Sequence, residues 1–140
     1  MIRLAVPGDA AGLYALNLRF NGPGVAEEDA IAASLSHNRQ ELVVVSDRQG
    51  ELNGFMCIQI KRSLCYTAPT AEITEVFVDE PYRRRGLARA MLDFGQKCCA
   101  AKYGVTQFTV LTGDDNLPAQ GLYRSAGFFR ENEVLFATEE

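Results

Sequence analysis

Val76-Phe77-Val78-Asp79-Glu80-Pro81-Tyr82-Arg83-Arg84-Arg85-Gly86-Leu87-Ala88 reads as the end of an apolar strand that breaks into a basic turn and then opens a helix. The helix is announced by Leu87, Met91, Phe94 and Cys98, which recur at three- and four-residue steps and predict a helix over Gly86 to Lys102, with Gly104 ending it. A strand that feeds a helix through such a turn has the layout of an anion site. The first N–H groups of a helix have no intrahelical partner, and the aligned peptide dipoles place about half a positive charge there, so a phosphate can bind main-chain donors alone. Gly86 and Ala88 carry little or no side chain and leave the backbone approachable, while Arg83, Arg84 and Arg85 add charge. Taken alone, the same run reads first as a solvated basic turn, since charge runs are usually solvated faces.

Outward from that stretch, Ile2 to Val6 is a short apolar run closed by Pro7-Gly8-Asp9, which predicts a strand and then a helix over Ala10 to Arg19 with Asp9 as its cap. Asn21-Gly22-Pro23-Gly24 stops that helix, and a second, about Ala26 to Leu35, carries Ile31 and Leu35 at four-residue spacing. Glu41 to Ser46 and Leu52 to Ile60 are β-rich runs joined by the turn residues Asp47-Arg48-Gln49-Gly50, a hairpin, with Gly54 as a candidate bulge. Ala71 to Val78 and Val105 to Leu111 add strands, Leu117 to Ser125 a short helix, and Phe128 to Ala137 one or two closing strands. The order β-α-α-β-β-β-α-β-α-β predicts an α/β (α+β) domain with a mixed central sheet of about six or seven strands flanked by about four helices.

Composition bounds the function. A chain of 140 residues, 47% hydrophobic and 23% charged, fits one domain, residues 1–140, that buries its core without disulfides or metal. Lys and Arg number 14 against 18 Asp and Glu, a net charge of -4 that offers no general attraction to nucleic acid or anionic lipid. No window approaches the ~20 apolar residues of a membrane span and no leader is read near Met1, so the expectation is a cytoplasmic protein. Cys57, Cys65, Cys98 and Cys99 lack the C-x-x-C spacing of a metal or redox pair, and His37 is the only histidine, so reduced thiols and no metal are expected. The G-x-x-x-x-G-K and G-x-G-x-x-G nucleotide motifs are absent.

Arg83-Arg84-Arg85-Gly86-Leu87-Ala88 resembles the (Gln/Arg)-x-x-Gly-x-(Gly/Ala) signature of the GNAT N-acetyltransferases, preceded as in that family by a strand ending in Val-Asp-x-x-Tyr-Arg. Downstream, Asn116 to Phe128 is similar to the family's second signature, Asn-x-x-Ala-x-x-Leu-Tyr-x-x-x-Gly-Phe. The resemblance covers nearly the whole chain and is weakest from Asn21 to Asn38 and from Ser63 to Thr70, the regions where acceptor specificity usually lies in such enzymes. It implies the GNAT fold and acetyl-coenzyme A as cosubstrate. Backbone amides from Arg84 through Arg85, Gly86, Leu87 and Ala88 to Arg89 would cradle the pyrophosphate, with Arg83 at the basic signature position. The main chain of Phe77 and Val78 would pair with the pantetheine arm as a strand edge pairs with a peptide, admitted by a splay between that strand and Val105 to Leu111. Asn116 would bond the far arm, and Tyr123 would sit near the sulfur. From the residues alone, Asn116 is equally a helix cap with Pro118 in the first turn, a compatible role, and Tyr123 is a core aromatic.

Aminolysis of a thioester needs a neutral amine, and deprotonating a lysine-like amine of pKa about 10.4 at neutral pH costs roughly 4 to 5 kcal/mol. Glu75 is the expected base and Glu72 the runner-up, each acting directly or through a water. Simple alternation sets Glu75 on the face of Ile73 and Phe77, and Glu72 on the opposite face with Thr74 and Val76. Either carboxylate could instead face solvent or merely attract a cationic acceptor. A main-chain N–H on the Val76 to Val78 strand, that of Val78 before the others, would hold the developing oxyanion, and Tyr123 would protonate the leaving thiolate. No cysteine has an activating neighbour in sequence, so a ternary complex is expected. The partner expected is a small-molecule amine, not nucleic acid or membrane, with the protein a monomer or homodimer. A protein N-terminus or lysine is the alternative acceptor, and a non-catalytic acetyl-coenzyme A-binding module the alternative of a different class.

Overall fold

A computed structural model of the chain describes residues 1–139. Its elements are β1 (Ile2–Leu4), α1 (Ala10–Asn21), α2 (Glu28–His37), β2 (Glu41–Arg48), β3 (Glu51–Lys61), β4 (Thr70–Val78), α3 (Leu87–Tyr103), β5 (Phe108–Val110) and α4 (Leu117–Ser125). The strands form one mixed sheet in sequence order, antiparallel from β1 to β4 and parallel between β4 and β5. The β2–β3 hairpin closes through Gln49 (φ 53°) and Gly50 (φ 91°), the two left-handed residues that a type I′ turn requires. The Gly50 amide also donates to Asp47 Oδ1 at 2.7 Å.

Helices cover both faces. Leu13 and Leu16 of α1 pack on Val45, Phe55 and Phe77, with Ile31 and Leu35 of α2 beside them. On the other face Met91, Leu92 and Cys99 of α3 and Tyr123 of α4 pack on Val44, Met56, Ile58 and Ile73. The strand alternation of period two thus assigns each inward residue to one of two cores.

One irregularity changes that assignment. The β3–β4 ladder pairs Cys57 with Glu75 but Ile58 with Ile73, leaving Thr74 as an extra residue, a β-bulge. An extra residue inverts the side-chain phase on one side of it. Phe77 and Glu75 therefore face α1 and α2, whereas Ile73 and Ala71 face α3. Glu72, opposite Gln59, returns to the α1/α2 face. The expectation that Glu72 and Glu75 occupy opposite faces, and that Ile73 shares a face with Glu75, is overturned by this single residue.

The sheet has five strands rather than the six or seven expected. Val105 to Leu111 contracts to Phe108–Val110, and Phe128 to Ala137 forms no strand. A strand needs a neighbour to take its alternate N–H and C=O groups, and no strand of the sheet pairs with this segment. Phe129, Val134, Leu135 and Phe136 are exposed accordingly.

Candidate active site

The turn after β4 is built from short-range constraints. Asp79 Oδ1 accepts the Glu80 amide, and Glu80 to Tyr82 form one 3-10 turn. Arg84 (φ 64°) and Gly86 (φ 78°) then adopt left-handed conformations on either side of Arg85. Such a sequence of backbone angles turns successive N–H groups into one concavity, a nest for an anion. For Arg84, which has a Cβ, the conformation costs about 1 kcal/mol or more, strain of the kind that gathers at binding sites. Gly86 begins α3, and its carbonyl accepts the Ala90 amide at 3.0 Å, so the amides of the first turn point toward the concavity without intrahelical partners.

The arginines of this region are not alike. Arg83 donates through Nε to the Val78 carbonyl at 2.8 Å, with its guanidinium 5.7 Å from the centre of the Phe77 ring. Arg85 and Arg48 lie over the Tyr82 ring, at 5.6 and 5.4 Å. Arg89 braces α3 against α4, donating to the Ser125 carbonyl at 3.1 Å and pairing with Asp93 at 3.1 Å. Its side chain is thus structural, whereas its amide belongs to the first turn. Arg83, Arg84 and Arg85 are all exposed beside the nest.

Next to the nest the sheet opens. β4 and β5 pair only from Ala71–Phe108 to Ile73–Val110, so the outer edge of β4 is free beyond Ile73. Which groups line that edge follows from parity. The Asp79 amide donates to the Asn53 carbonyl, and in an antiparallel ladder every second residue uses its main-chain groups on the same side. Phe77 and Glu75 therefore direct their amides and carbonyls at β3, and Val76 and Val78 present theirs to the open edge. Of the two expected pantetheine positions, the main chain of Val78 faces the gap and that of Phe77 does not; the main chain of Val76 faces it as well.

The gap continues into a cavity of about 240 Å³ that passes between β4 and β5 from one face of the sheet to the other. Phe20 and Glu75 line it on the α1/α2 side, and Asn116, Ala119, Leu122 and Tyr123 on the α4 side. Burial raises the pKa of the Glu75 carboxyl, which favours a group able to take up a proton. Tyr123 is 7% exposed, and burial raises its pKa as well, keeping the phenol protonated at neutral pH. Asn116 Oδ1 accepts the Ala119 amide at 3.3 Å, so it caps α4 while its side chain lines the cavity. Glu72 is bound to Lys61 at 2.6 Å and does not reach the cavity. A larger depression of about 650 Å³ lies near Leu35, Arg39, Arg62 and Tyr103, but neither Glu75, Tyr123 nor any residue of the turn after β4 lines it.

Phe20 was invisible to motif reading, because it belongs to no signature and comes from the far side of the sheet. Its only sequence signal is an apolar residue at the end of a helix next to a glycine-rich break. Among the described residues no group of three or more His, Cys, Asp and Glu could hold a metal, and no helix is long and apolar enough to cross a membrane.

A helix-start nest, an open strand edge leading from it, and a through-sheet cavity lined by a carboxyl and a buried phenol are the layout of an acyltransferase that uses a phosphate-bearing thioester. The chain belongs to the GNAT acetyltransferase family, whose sequence profile, "Acetyltransferase (GNAT) family", matches residues 9–128. No curated protein sequence matches the chain. Among solved structures it is similar to the aminoglycoside acetyltransferase meta-AAC0020 from an uncultured soil metagenomic sample, at 16% identity and a TM-score of 0.86, covering 100% of this chain and 95% of that one. It is also similar to AAC(6')-Iy in complex with a CoA-S-monomethyl-acetylneamine bisubstrate analogue, at 19% identity and a TM-score of 0.86 with 100% and 97% covered. The ribosomal-protein-alanine N-acetyltransferase of Brucella melitensis biovar Abortus 2308 superimposes with a TM-score of 0.83 at 14% identity, with 100% and 99% covered. At these identities the likeness concerns the fold.

Proposed function

We propose that the protein transfers the acetyl group of acetyl-coenzyme A directly to a primary amine of a small-molecule acceptor. The observation that carries this reading is the cavity that joins Glu75 on one face of the sheet to Tyr123 on the other. The coenzyme fits the α3/α4 side, where the nest from Arg84 to Arg89 would take its pyrophosphate, the Val76 and Val78 edge its amide-bearing arm, and Asn116 its far portion. When bound, it supplies an acetyl group activated as a thioester. The acceptor fits the α1/α2 side, where Glu75 removes its proton directly or through a water. An amide of the open β4 edge, Val76 or Val78, holds the negative charge that develops on the acyl oxygen. Tyr123 returns a proton to the departing sulfur.

Direct transfer is supported by the state of the cysteines. Burial, with the charges of Glu41 and Glu75 adding to it, pushes the Cys57 thiol up, away from the thiolate form that a nucleophile needs. Burial likewise moves Cys99 up to about 11. A protein N-terminus is the second reading, favoured by the likeness to the Brucella ribosomal-protein-alanine enzyme. The carboxyl of Glu75 and the ring of Phe20 on one cavity wall suit a small cationic amine.

Thiol release from acetyl-coenzyme A, measured against a panel of alkylamines, aminoglycosides and N-terminal peptides, tests this reading. Amine-dependent release is expected, with Tyr123→Phe lowering kcat by about 10²-fold while leaving coenzyme affinity within a factor of about two. Release with peptides alone would transfer the reading to a protein acceptor. Coenzyme binding without release on any amine would leave a binding module.

A further inference from the structure

Phe20, in the last turn of α1, is held from two directions. Its neighbour Arg19 pairs with Asp79 at 2.7 Å, which ties the end of α1 to the turn beyond β4. Its ring stacks on Phe77 at 5.0 Å and 28° and meets Phe55 edge to face at 6.1 Å and 73°. Phe55 and Phe77 are 5% and 8% exposed, as core residues are, whereas Phe20 is 37% exposed and lines the through-sheet cavity with Glu75. One face of the Phe20 ring is covered by Phe77, and the part left exposed, held in place by two buried rings, is a preorganised surface for whatever enters the cavity.

The face of an aromatic ring is electron-rich and attracts a cation within about 6 Å of its centroid, the more so where water is excluded. The chain already uses this aromatic cluster that way, since the Arg83 guanidinium lies 5.7 Å from the Phe77 ring centre. Glu75 shares the cavity wall and the sheet face, so a ligand that satisfies both groups carries positive charge and a slim apolar shoulder. A primary alkylammonium has both, the methylene beside its nitrogen lying on the ring.

We propose that Phe20 binds the acceptor, holding its ammonium form against the ring until Glu75 takes the proton, and that it selects alkylammonium acceptors over neutral molecules of the same shape. The proposal rests on the amine acetyltransfer reading above. One proton leaves the ammonium nitrogen for the Glu75 carboxylate; the freed electron pair forms the N–C bond to the acetyl carbon as the C–S bond breaks, the sulfur leaves as the thiol with the proton of Tyr123, and the second amine proton, released as the amide forms, restores the phenol.

The test is steady-state kinetics of Phe20→Leu and Phe20→Tyr, with two non-reacting probes of one shape, choline and its neutral isostere 3,3-dimethylbutan-1-ol. Phe20→Leu, which keeps apolar bulk and removes the π face, is expected to raise KM for the alkylamine about five- to thirtyfold. KM for acetyl-coenzyme A should stay within about twofold, and Phe20→Tyr should restore the wild-type value. Choline should compete with the amine in the wild type and lose that competition in Phe20→Leu, while the neutral alcohol competes in neither. An unchanged acceptor KM in Phe20→Leu, or equal inhibition by alcohol and choline, would overturn the proposal. If Phe20→Leu does not fold, Phe20→Met, which also keeps apolar bulk without a ring, takes its place. If the wild type acetylates no amine, the functional reading fails separately, because probe binding by ligand-observed NMR still reports on the ring.

Discussion

Glu72 and Glu75 lie on the same face of the sheet, because Thr74 is an extra residue between them in β4. They nevertheless do different things. Glu75 lines the cavity, and burial raises its pKa, whereas Glu72 pairs with Lys61 outside it. Glu75→Gln should lower kcat/KM for the amine by about 10²-fold or more, the usual scale of a lost general base. Glu72→Gln removes a partly exposed ion pair and should change both rate and stability little, by less than about 1 kcal/mol. Kinetics of the two variants side by side checks the assignment.

The same carboxyl sets a pH limb. Glu75 must be ionised to accept a proton, and its pKa is raised, so activity should fall with decreasing pH before the ordinary glutamate value of about 4.3 is reached. Glu75→Gln should retain low activity with that acid limb missing. A pH profile of kcat/KM from the free enzyme's side is the measurement; an acid limb unchanged in the variant would exclude Glu75 as its origin.

Gly86 opens α3 at φ 78°, with nothing within 4 Å of where a Cβ would stand. Gly86→Ala therefore meets no steric obstacle, and its penalty is conformational, about 1 to 2 kcal/mol for a left-handed residue with a Cβ. The variant is expected to melt a few degrees lower and to bind coenzyme A more weakly as the nest relaxes, both measurable by thermal shift and calorimetry. Retained coenzyme affinity alongside a lower melting temperature would show that the nest does not depend on this angle.

Gly95 tests packing in α3 against helix propensity. Alanine is the better helix former by up to about 1 kcal/mol, yet a Cβ here would stand 2.7 Å from Ile58 Cδ1, and Ile58 is fully buried. Overpacking of about 1 to 3 kcal/mol should win. Gly95→Ala is expected to destabilise in urea unfolding; stabilisation would mean that Ile58 finds another rotamer at little expense.

Arg3 donates to both Asp9 oxygens at 2.8 Å, and Asp9 also accepts the Val6 amide at 2.8 Å. These bonds hold the Asp9 carboxyl below its usual range. A depressed folded-state pKa gives stability that is present above the unfolded value of about 3.9 and is lost as pH falls through the folded one. Asp9→Asn should cost about 1 to 2 kcal/mol near neutrality. Its unfolding free energy should fall less steeply than the wild type's below about pH 4, as read from denaturation curves across that range.

Much of this architecture is written locally. The period of Leu87, Met91, Phe94 and Cys98 specifies α3, the residues Gln49-Gly50 specify the hairpin turn, and the two signature stretches place the nest and the cap of α4. Each depends on backbone angles or on spacings of a few residues, so a short window carries the information.

The rest depends on how distant segments are paired. Whether Thr74 is bulged is a property of two strands in register, and it alone sends Glu72 to the face of Glu75. The same ladder turns the Val76 and Val78 amides outward and the Phe77 amide inward, a distinction that residue identity does not carry. Phe20 reaches the cavity only because α1 crosses the opposite face of the sheet, and Phe128 to Ala137, strand-like in composition, is no strand because no neighbour takes its hydrogen bonds. Helices and turns satisfy most of their backbone groups within the segment, so their sequences announce them; a strand satisfies its own on another part of the chain, and its edges, bulges and facing side chains come into being only when that other part is in place.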